Sequence, residues 1–74
     1  MNKVEIKGTI YSFSISGYDV EVCLKNQDGF FKVTAVMSRQ DIVRLGYGVE
    51  VAVKGKLMGF DGQCWIVADF MEFV

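Results

Sequence analysis

The strongest structural signals in this 74-residue chain are Val4-Glu5-Ile6-Lys7-Gly8-Thr9-Ile10 and Val49-Glu50-Val51-Ala52-Val53-Lys54-Gly55-Lys56-Leu57. Each stretch alternates apolar and polar residues, which is the period of a β-strand with one buried face. Each then reaches a glycine, Gly8 or Gly55, on its apolar side. Glycine inside a strand marks a sharp bend or a close approach of another backbone. The two stretches therefore predict strands of a small, strongly curled barrel.

The first strand, which we place at about residues 3–16, changes its apolar face midway. Apolar residues stand at even-numbered positions through Ile10 and at odd-numbered positions from Tyr11 onward, with serines between them. A slip of one residue turns every later side chain to the other face of the sheet. We therefore expect either a β-bulge between Gly8 and Tyr11 or a strand that passes from one sheet to another.

The remaining elements follow from turn residues and alternation. We predict strands over 18–25, 30–37, 49–58 and 63–73, with turns over 26–29 and 59–62. A short helix is expected to begin at Ser38, a typical N-cap, and to end at Gly46 or Gly48. This order predicts an all-β chain: one domain over residues 1–74, a five-stranded Greek-key barrel with one short helix between strands three and four.

The composition gives no electrostatic indication of a ligand. The chain has 8 Lys plus Arg against 9 Asp plus Glu, for a formal net charge of −1. Binding to nucleic acid would therefore depend on local charge and on stacking, rather than on overall attraction to phosphate. Hydrophobic residues make up 51% of the sequence and aromatic residues 14%, which predicts a dense core with apolar surface left for a ligand or another subunit.

Residues typical of catalysis or metal binding are scarce. The chain has no histidine, no phosphate-binding glycine loop and no nucleophile elbow. Its cysteines, Cys23 and Cys64, lack metal-site spacing and are expected to be reduced thiols, with a disulfide as the alternative if their strands are neighbours. We therefore expect no enzymatic activity, no metal and no cofactor. Without a leader-like N-terminus or a run of about 20 apolar residues, we expect a cytoplasmic protein with no membrane partner.

The strand order and four patterns together resemble the oligonucleotide/oligosaccharide-binding (OB) fold. The patterns are Val4-x-Ile6-x-Gly8-x-Ile10, Val20-x-Val22-x-Leu24, Asp28-Gly29 and Val51-x-Val53-x-Gly55-x-Leu57. The resemblance covers nearly the whole chain, and it is greatest to the compact OB domains of single-stranded-DNA-binding proteins and tRNA-anticodon-binding modules. An SH3-like barrel shares some of these patterns but does not readily supply the helix.

The resemblance implies that a single strand of nucleic acid crosses strands two and three, held by the loops that join strands one to two and four to five. Aromatic rings stack with bases and lysines contact phosphates. The expected partner is single-stranded DNA in preference to RNA, bound with little sequence preference. The residues predicted to contact it are Tyr11, Phe13, Tyr18, Phe30, Lys32, Thr34, Lys54, Lys56, Phe60 and Trp65.

Orientation remains open for four of these aromatic residues. Tyr11 and Phe13 face the core if the bulge is present, and Tyr18 has the parity of a core or rim residue. Trp65 is ambiguous because both faces of the last strand are apolar. Exposure is predicted by parity or by turn position for two rings, Phe30 and Phe60.

Charged residues complicate the predicted interface. Lys54 and Lys56 have a simpler interpretation as solvated residues of a strand. Glu21 shares the outward face of the second strand, and Asp19 lies beside the first loop. Carboxylates there would repel phosphates, so we expect modest affinity or binding confined to one side of the groove.

The sequence also supports a second function class. A last strand that is apolar on both faces could pair edge to edge or bury a patch in a homodimer. The alternative is therefore a protein-interaction or oligomerisation module that uses the same barrel, with a second copy or another protein as its partner.

Overall fold

A computed structural model describes residues 2–74 of the chain. Its elements are β1 (Lys3–Ser16), β2 (Asp19–Asn26), β3 (Gly29–Val36), α1 (Arg39–Ile42), β4 (Glu50–Phe60) and β5 (Gln63–Phe73). The strands close into a barrel in the order β1-β2-β3-β5-β4. Neighbouring strands are antiparallel, except that β3 and β5 are parallel. The predicted all-β barrel of five strands, with one helix between the third and fourth, is confirmed.

Strand β1 pairs with two neighbouring strands, one after the other along its length. It pairs with β4 from Lys3 to Thr9 and with β2 from Thr9 to Ser16. The register with β2 shifts between Ile10 and Ser12, which leaves Tyr11 as the extra residue of a β-bulge. The bulge explains the change of apolar face, and the change of partner lets one strand close both sides of the barrel.

The two strand glycines sit where backbones approach each other closely. A Cβ on Gly8 would lie 2.9 Å from the carbonyl oxygen of Lys25. A Cβ on Gly55 would collide with the carbonyl oxygen of Val67, beside a register shift between Lys54 and Gly55. Both positions therefore require glycine for lack of space, as the sequence predicts.

The core fills the inside of the barrel. Its buried members are Ile10, Val20, Val22, Leu24, Val33, Ala35, Met37, Val51, Val53 and Ile66. Ile42 and Leu45 are half-buried and pack on this core, so α1 and the residues after it cover one end of the barrel. No helix within residues 2–74 is long and apolar enough to span a membrane.

The helix is shorter than the sequence predicts. The Ser38 hydroxyl oxygen accepts a hydrogen bond from the Asp41 N–H at 3.3 Å, which confirms the predicted N-cap. The helix ends at Ile42, however, rather than at Gly46 or Gly48. The Arg44 N–H donates to the Asp41 carbonyl and the Leu45 N–H to that of Ile42, so the chain continues in three-residue turns.

The hairpin between β4 and β5, by contrast, is longer than predicted. Phe60 pairs with Gln63, so β4 reaches Phe60 instead of ending at Met58. The connecting residues are Asp61 and Gly62, with φ of 52° and 79°. Two consecutive residues with positive φ are typical of the type I′ turn that Asp-Gly favours. A tight turn is therefore present as predicted, but it comprises residues 61 and 62 rather than 59–62.

Strand β5 has a strand on each side, β3 and β4. The ladder to β3 comprises only two residue pairs within residues 2–74, so edge-to-edge pairing through this strand, one form of the predicted oligomer, stays a prediction. Cys23 and Cys64 are free thiols, the first half-buried and the second exposed.

Candidate nucleic-acid interface

The predicted binding surface is the outer face of β2 and β3, which we call the β2–β3 face. Its outward positions are Asp19, Glu21, Cys23 and Lys25 on β2 and Phe30, Lys32 and Thr34 on β3. Pairing fixes this arrangement, because Lys25 lies opposite Phe30 and Cys23 opposite Lys32. These residues share one side of the sheet, since partners in register point the same way.

Two turns lie at opposite ends of this face. The turn of Gly17 and Tyr18 follows Ser16, which pairs with Asp19 at the start of β2. The β4–β5 turn lies toward the start of β3, because β5 is parallel to β3 and Ile66 pairs with Val33. The two loops that OB domains use to hold a ligand therefore flank the face from either end.

An exposed aromatic cluster, which we call the aromatic patch, consists of Tyr11, Lys25 and Phe30. The ring centroids of Tyr11 and Phe30 are 5.1 Å apart with an interplanar angle of 71°, an edge-to-face pair. The Lys25 ammonium lies 5.8 Å from the centre of the Phe30 ring. Tyr11 is 59% exposed and Phe30 58%. The expectation that a bulge would turn Tyr11 toward the core is wrong, because Tyr11 is itself the extra residue of the bulge and points outward. Phe30 has the exposure predicted from its parity.

The far end of the β4–β5 hairpin forms an arm that extends beyond the barrel. The ladder between β1 and β4 ends at Lys56, and the ladder between β3 and β5 begins at Ile66. Within the described residues 2–74, residues 58–65 therefore have only each other as strand partners. Phe60, at the tip, is 77% exposed, and the half-buried Trp65 pairs with Met58.

Charge is partly cancelled in the middle of the β2–β3 face. The Lys32 ammonium lies 3.5 Å from a carboxylate oxygen of Glu21. Both side chains are about half exposed, so the pair contributes little to stability. Thr34 is half-buried and lies opposite Glu21. Lys32 is therefore present as predicted, but its charge is already compensated.

The opposite end of the face is acidic. Tyr18 is exposed in the turn, and its carbonyl accepts a hydrogen bond from the Met37 N–H at 2.9 Å. Asp19, Glu21 and Asp69 line a neighbouring groove, which we call the acidic groove. Tyr18 therefore lies in surroundings that disfavour a phosphate.

Three predicted contact residues lie away from the aromatic patch. Phe13 packs against the core, with its ring 5.4 Å from that of Tyr47. Lys54 and Lys56 are exposed on β4, across β5 from β3, and Lys56 is level with Thr34 rather than with Phe30, because Val67 pairs with both Lys56 and Thr34. The barrel thus directs these two lysines away from Phe30.

Sequence reasoning missed Lys25 and Tyr47. The hairpin turn over residues 26–29 contained the signal for Lys25, because it places Lys25 opposite Phe30. Tyr47 lies in the connection between α1 and β4, where no periodicity applies.

In the part of the chain that the structure describes, no group of three or more Cys, Asp and Glu side chains is placed to hold a metal.

Comparison with known proteins rests on structure alone, since no protein-family model and no curated protein matches the sequence. A replication protein A heterotrimer bound to single-stranded DNA contains a similar chain, with a TM-score of 0.85 and 19% identity. The S. pombe Stn1-Ten1 complex gives a TM-score of 0.84 at 16% identity. Asparaginyl-tRNA synthetase from Pyrococcus horikoshii gives 0.85 at 16% identity.

The similarity extends over the whole barrel. All of this chain aligns with the first two proteins, where it spans 58% and 59% of their chains, and 97% of it aligns with 19% of the synthetase. At these identities the similarity shows the fold and not the ligand. The closed barrel in the order β1-β2-β3-β5-β4, with a helix before β4, and its match to these structures together show that this chain has the OB fold.

Proposed function

We propose that this chain binds single-stranded nucleic acid, DNA in preference to RNA, across the aromatic patch and the β4–β5 arm. The observation that carries the proposal is the exposed pair of Tyr11 and Phe30 with Lys25 beside it. Exposed rings next to an ammonium group supply both elements of single-strand binding, a stacking surface and a phosphate contact. The proposed role is binding, without catalysis.

Stacking is expected to provide most of the affinity. A base stacked on an aromatic side chain contributes about 1–3 kcal/mol. Phe30 at the start of β3 and Phe60 at the arm tip lie toward the same end of the face, so we propose that they contact neighbouring bases. The acidic groove at the other end limits the bound segment, because its carboxylates repel phosphate. Binding is therefore confined to one half of the face.

The proposed preference for DNA is supported by the structural comparison rather than by the chemistry of the patch. Discrimination in favour of RNA relies on polar groups that recognise the 2′-hydroxyl. The aromatic patch presents two rings and one lysine, which bind a base and a phosphate in either nucleic acid. The structure of replication protein A that this chain resembles holds single-stranded DNA. Two further expectations stay predictions, namely that residues 1–74 form a single domain and that the protein is cytoplasmic.

The test is a titration of the purified protein with an oligothymidine and, in parallel, an oligouridine at low salt. Trp65 is the single tryptophan and lies in the arm, so we expect its fluorescence to be quenched or shifted. Anisotropy of an end-labelled oligonucleotide gives a second signal that does not depend on contact with Trp65. Phe60→Ala should weaken binding in both measurements.

Absence of binding in both measurements at high micromolar protein would contradict this proposal. The alternative, an interaction module that does not bind nucleic acid, predicts that outcome together with concentration-dependent sedimentation. A monomer that binds oligothymidine would instead contradict the alternative.

A further inference from the structure

We propose that the acidic groove binds an extended peptide segment of a partner protein in which basic and apolar side chains alternate. The groove has a volume of about 720 Å³ and lies beside the β1–β2 turn. The ends of β1 and β3, the start of β2 and the middle of β5 line it. This inference does not depend on nucleic-acid binding, which we place at the other end of the β2–β3 face.

The groove has an apolar lining. Buried Val20 and Ala35 belong to it, and Ile15, Val36 and Val67 expose apolar surface around them. Val36, at the end of β3, is 79% exposed and adds to this apolar surface. A partner that placed apolar side chains here would remove this surface from water, which favours binding.

Charge determines the kind of partner. Asp19, Glu21 and Asp69 line the groove, whereas no lysine or arginine does so among residues 2–74. Glu21 is compensated by Lys32. Asp19 and Asp69 form no ion pair with any residue that the structure describes. The complementary ligand is therefore cationic, and a polyphosphate backbone is disfavoured by the same charges.

The strand arrangement favours an extended ligand. The parallel ladder between β3 and β5 comprises two residue pairs within residues 2–74, Val33 with Ile66 and Thr34 with Val67. The groove continues past the end of this ladder, along Val36 and Asp69. Strand edges beyond a short ladder are suited to main-chain hydrogen bonds with a peptide, while alternate side chains of that peptide reach pockets.

A second copy of the chain does not fit this description well. Its own stretch with alternating basic and apolar residues, residues 53–57, lies within β4 and pairs with both β1 and β5. A second copy could offer that stretch only by opening its barrel. The partner is therefore expected to be a different protein.

The experiment is an NMR titration of the ¹⁵N-labelled chain with a capped octapeptide of alternating lysine and valine. We expect millimolar or tighter binding, with the largest amide shifts at Asp19, Val36 and Asp69. An octapeptide of alternating glutamate and valine should leave these amides unchanged. An octapeptide of four lysines followed by four valines should also leave these amides unchanged, because it has the same composition as the lysine-valine peptide without the alternation.

Two variants test the assignment to the groove. The double variant Asp19→Asn, Asp69→Asn should weaken binding of the lysine-valine peptide about five-fold or more, because two exposed ionic contacts are lost. The matched control is Asp28→Asn with Asp61→Asn, which removes the same charge in two hairpin turns outside the groove. Val36→Ser should also weaken binding, and the exposure of Val36 leaves the core intact.

Several results would overturn the proposal. They are no binding of the lysine-valine peptide at millimolar concentration, equal binding of the glutamate-valine peptide, or equal weakening by the two double variants. Shifts confined to the aromatic patch would do the same. If an oligothymidine shifted the groove amides instead, the groove would belong to the nucleic-acid site. Concentration-dependent groove shifts without any peptide would identify a second copy as the occupant.

Discussion

The Lys32 ammonium lies 3.5 Å from a carboxylate oxygen of Glu21, on the neighbouring strand of the β2–β3 face. This ion pair lies in the middle of the face. The aromatic patch lies toward the start of β3, and the acidic groove lies toward its end. An incoming phosphate must compete with Glu21 for Lys32. The ion pair is therefore expected to lower affinity for nucleic acid.

Removing the carboxylate should release Lys32. We expect Glu21→Gln to raise the affinity for an oligothymidine about two-fold to five-fold and to change the free energy of unfolding by less than about 0.5 kcal/mol, since an exposed pair is worth little. Anisotropy and urea unfolding measure the two quantities. The control is Glu72→Gln, the same charge change on the β4–β5 wall. Equal gains in the two variants would mean that Lys32 has no special part in binding.

The aromatic patch should supply stacking energy. We expect Phe30→Ala to weaken oligothymidine binding by about 1–3 kcal/mol, a factor of roughly 5 to 150. Phe70→Ala is the matched control, since Phe70 is 56% exposed but lies on β5 opposite Lys54. Both variants remove an exposed ring, so nonspecific loss of apolar surface would weaken binding equally in both.

Lys25 should be the principal cation near the stacked base. Loss of one phosphate contact lowers the slope of log affinity against log salt by about one. We expect this change for Lys25→Gln and a smaller one for Lys54→Gln, because Lys54 lies on β4, away from Phe30. Anisotropy titrations at several salt concentrations measure the slope. A larger change for Lys54→Gln would place the backbone of the nucleic acid along β4.

Gly55 should tolerate no side chain. A Cβ there collides with the carbonyl oxygen of Val67, which belongs to a rigid strand, so Gly55→Ala should destabilise the barrel by about 3 kcal/mol. The control is Gly59→Ala on the same strand, where the nearest atom is 3.5 Å away. That change should be neutral or slightly stabilising, because alanine restricts the unfolded chain more than glycine does. Urea unfolding of the two variants compares them, and similar free energies would contradict the steric argument.

The amino-acid sequence alone determined the order of elements, the place where β1 changes its apolar face and the two glycines that interrupt strands, while the choice between a bulge and a change of sheet stayed open. These are local features: period-two alternation defines each strand, and a glycine on an apolar face indicates that space is lacking. The length of α1 was predicted less well, because Ile42 to Gly46 continue in turns whose hydrogen bonds have no periodic signal. The end of β4 shifted by two residues for a similar reason, since Asp61 and Gly62 occupy the turn by themselves.

Only the tertiary structure decided which site residues come together. Alternation predicts that a side chain points outward, but not which strand lies beside it around the barrel. Phe30 and Lys54 are both exposed, yet Lys54 lies across β5 and level with Phe70, toward the other end of the barrel from Phe30, whereas the bulge brings Tyr11 close to Phe30 across β2. The division of one face into an aromatic end and an acidic end likewise depends on closure of the barrel. Closure brings Asp69 of β5 to the same groove as Asp19 of β2, fifty positions earlier in the chain.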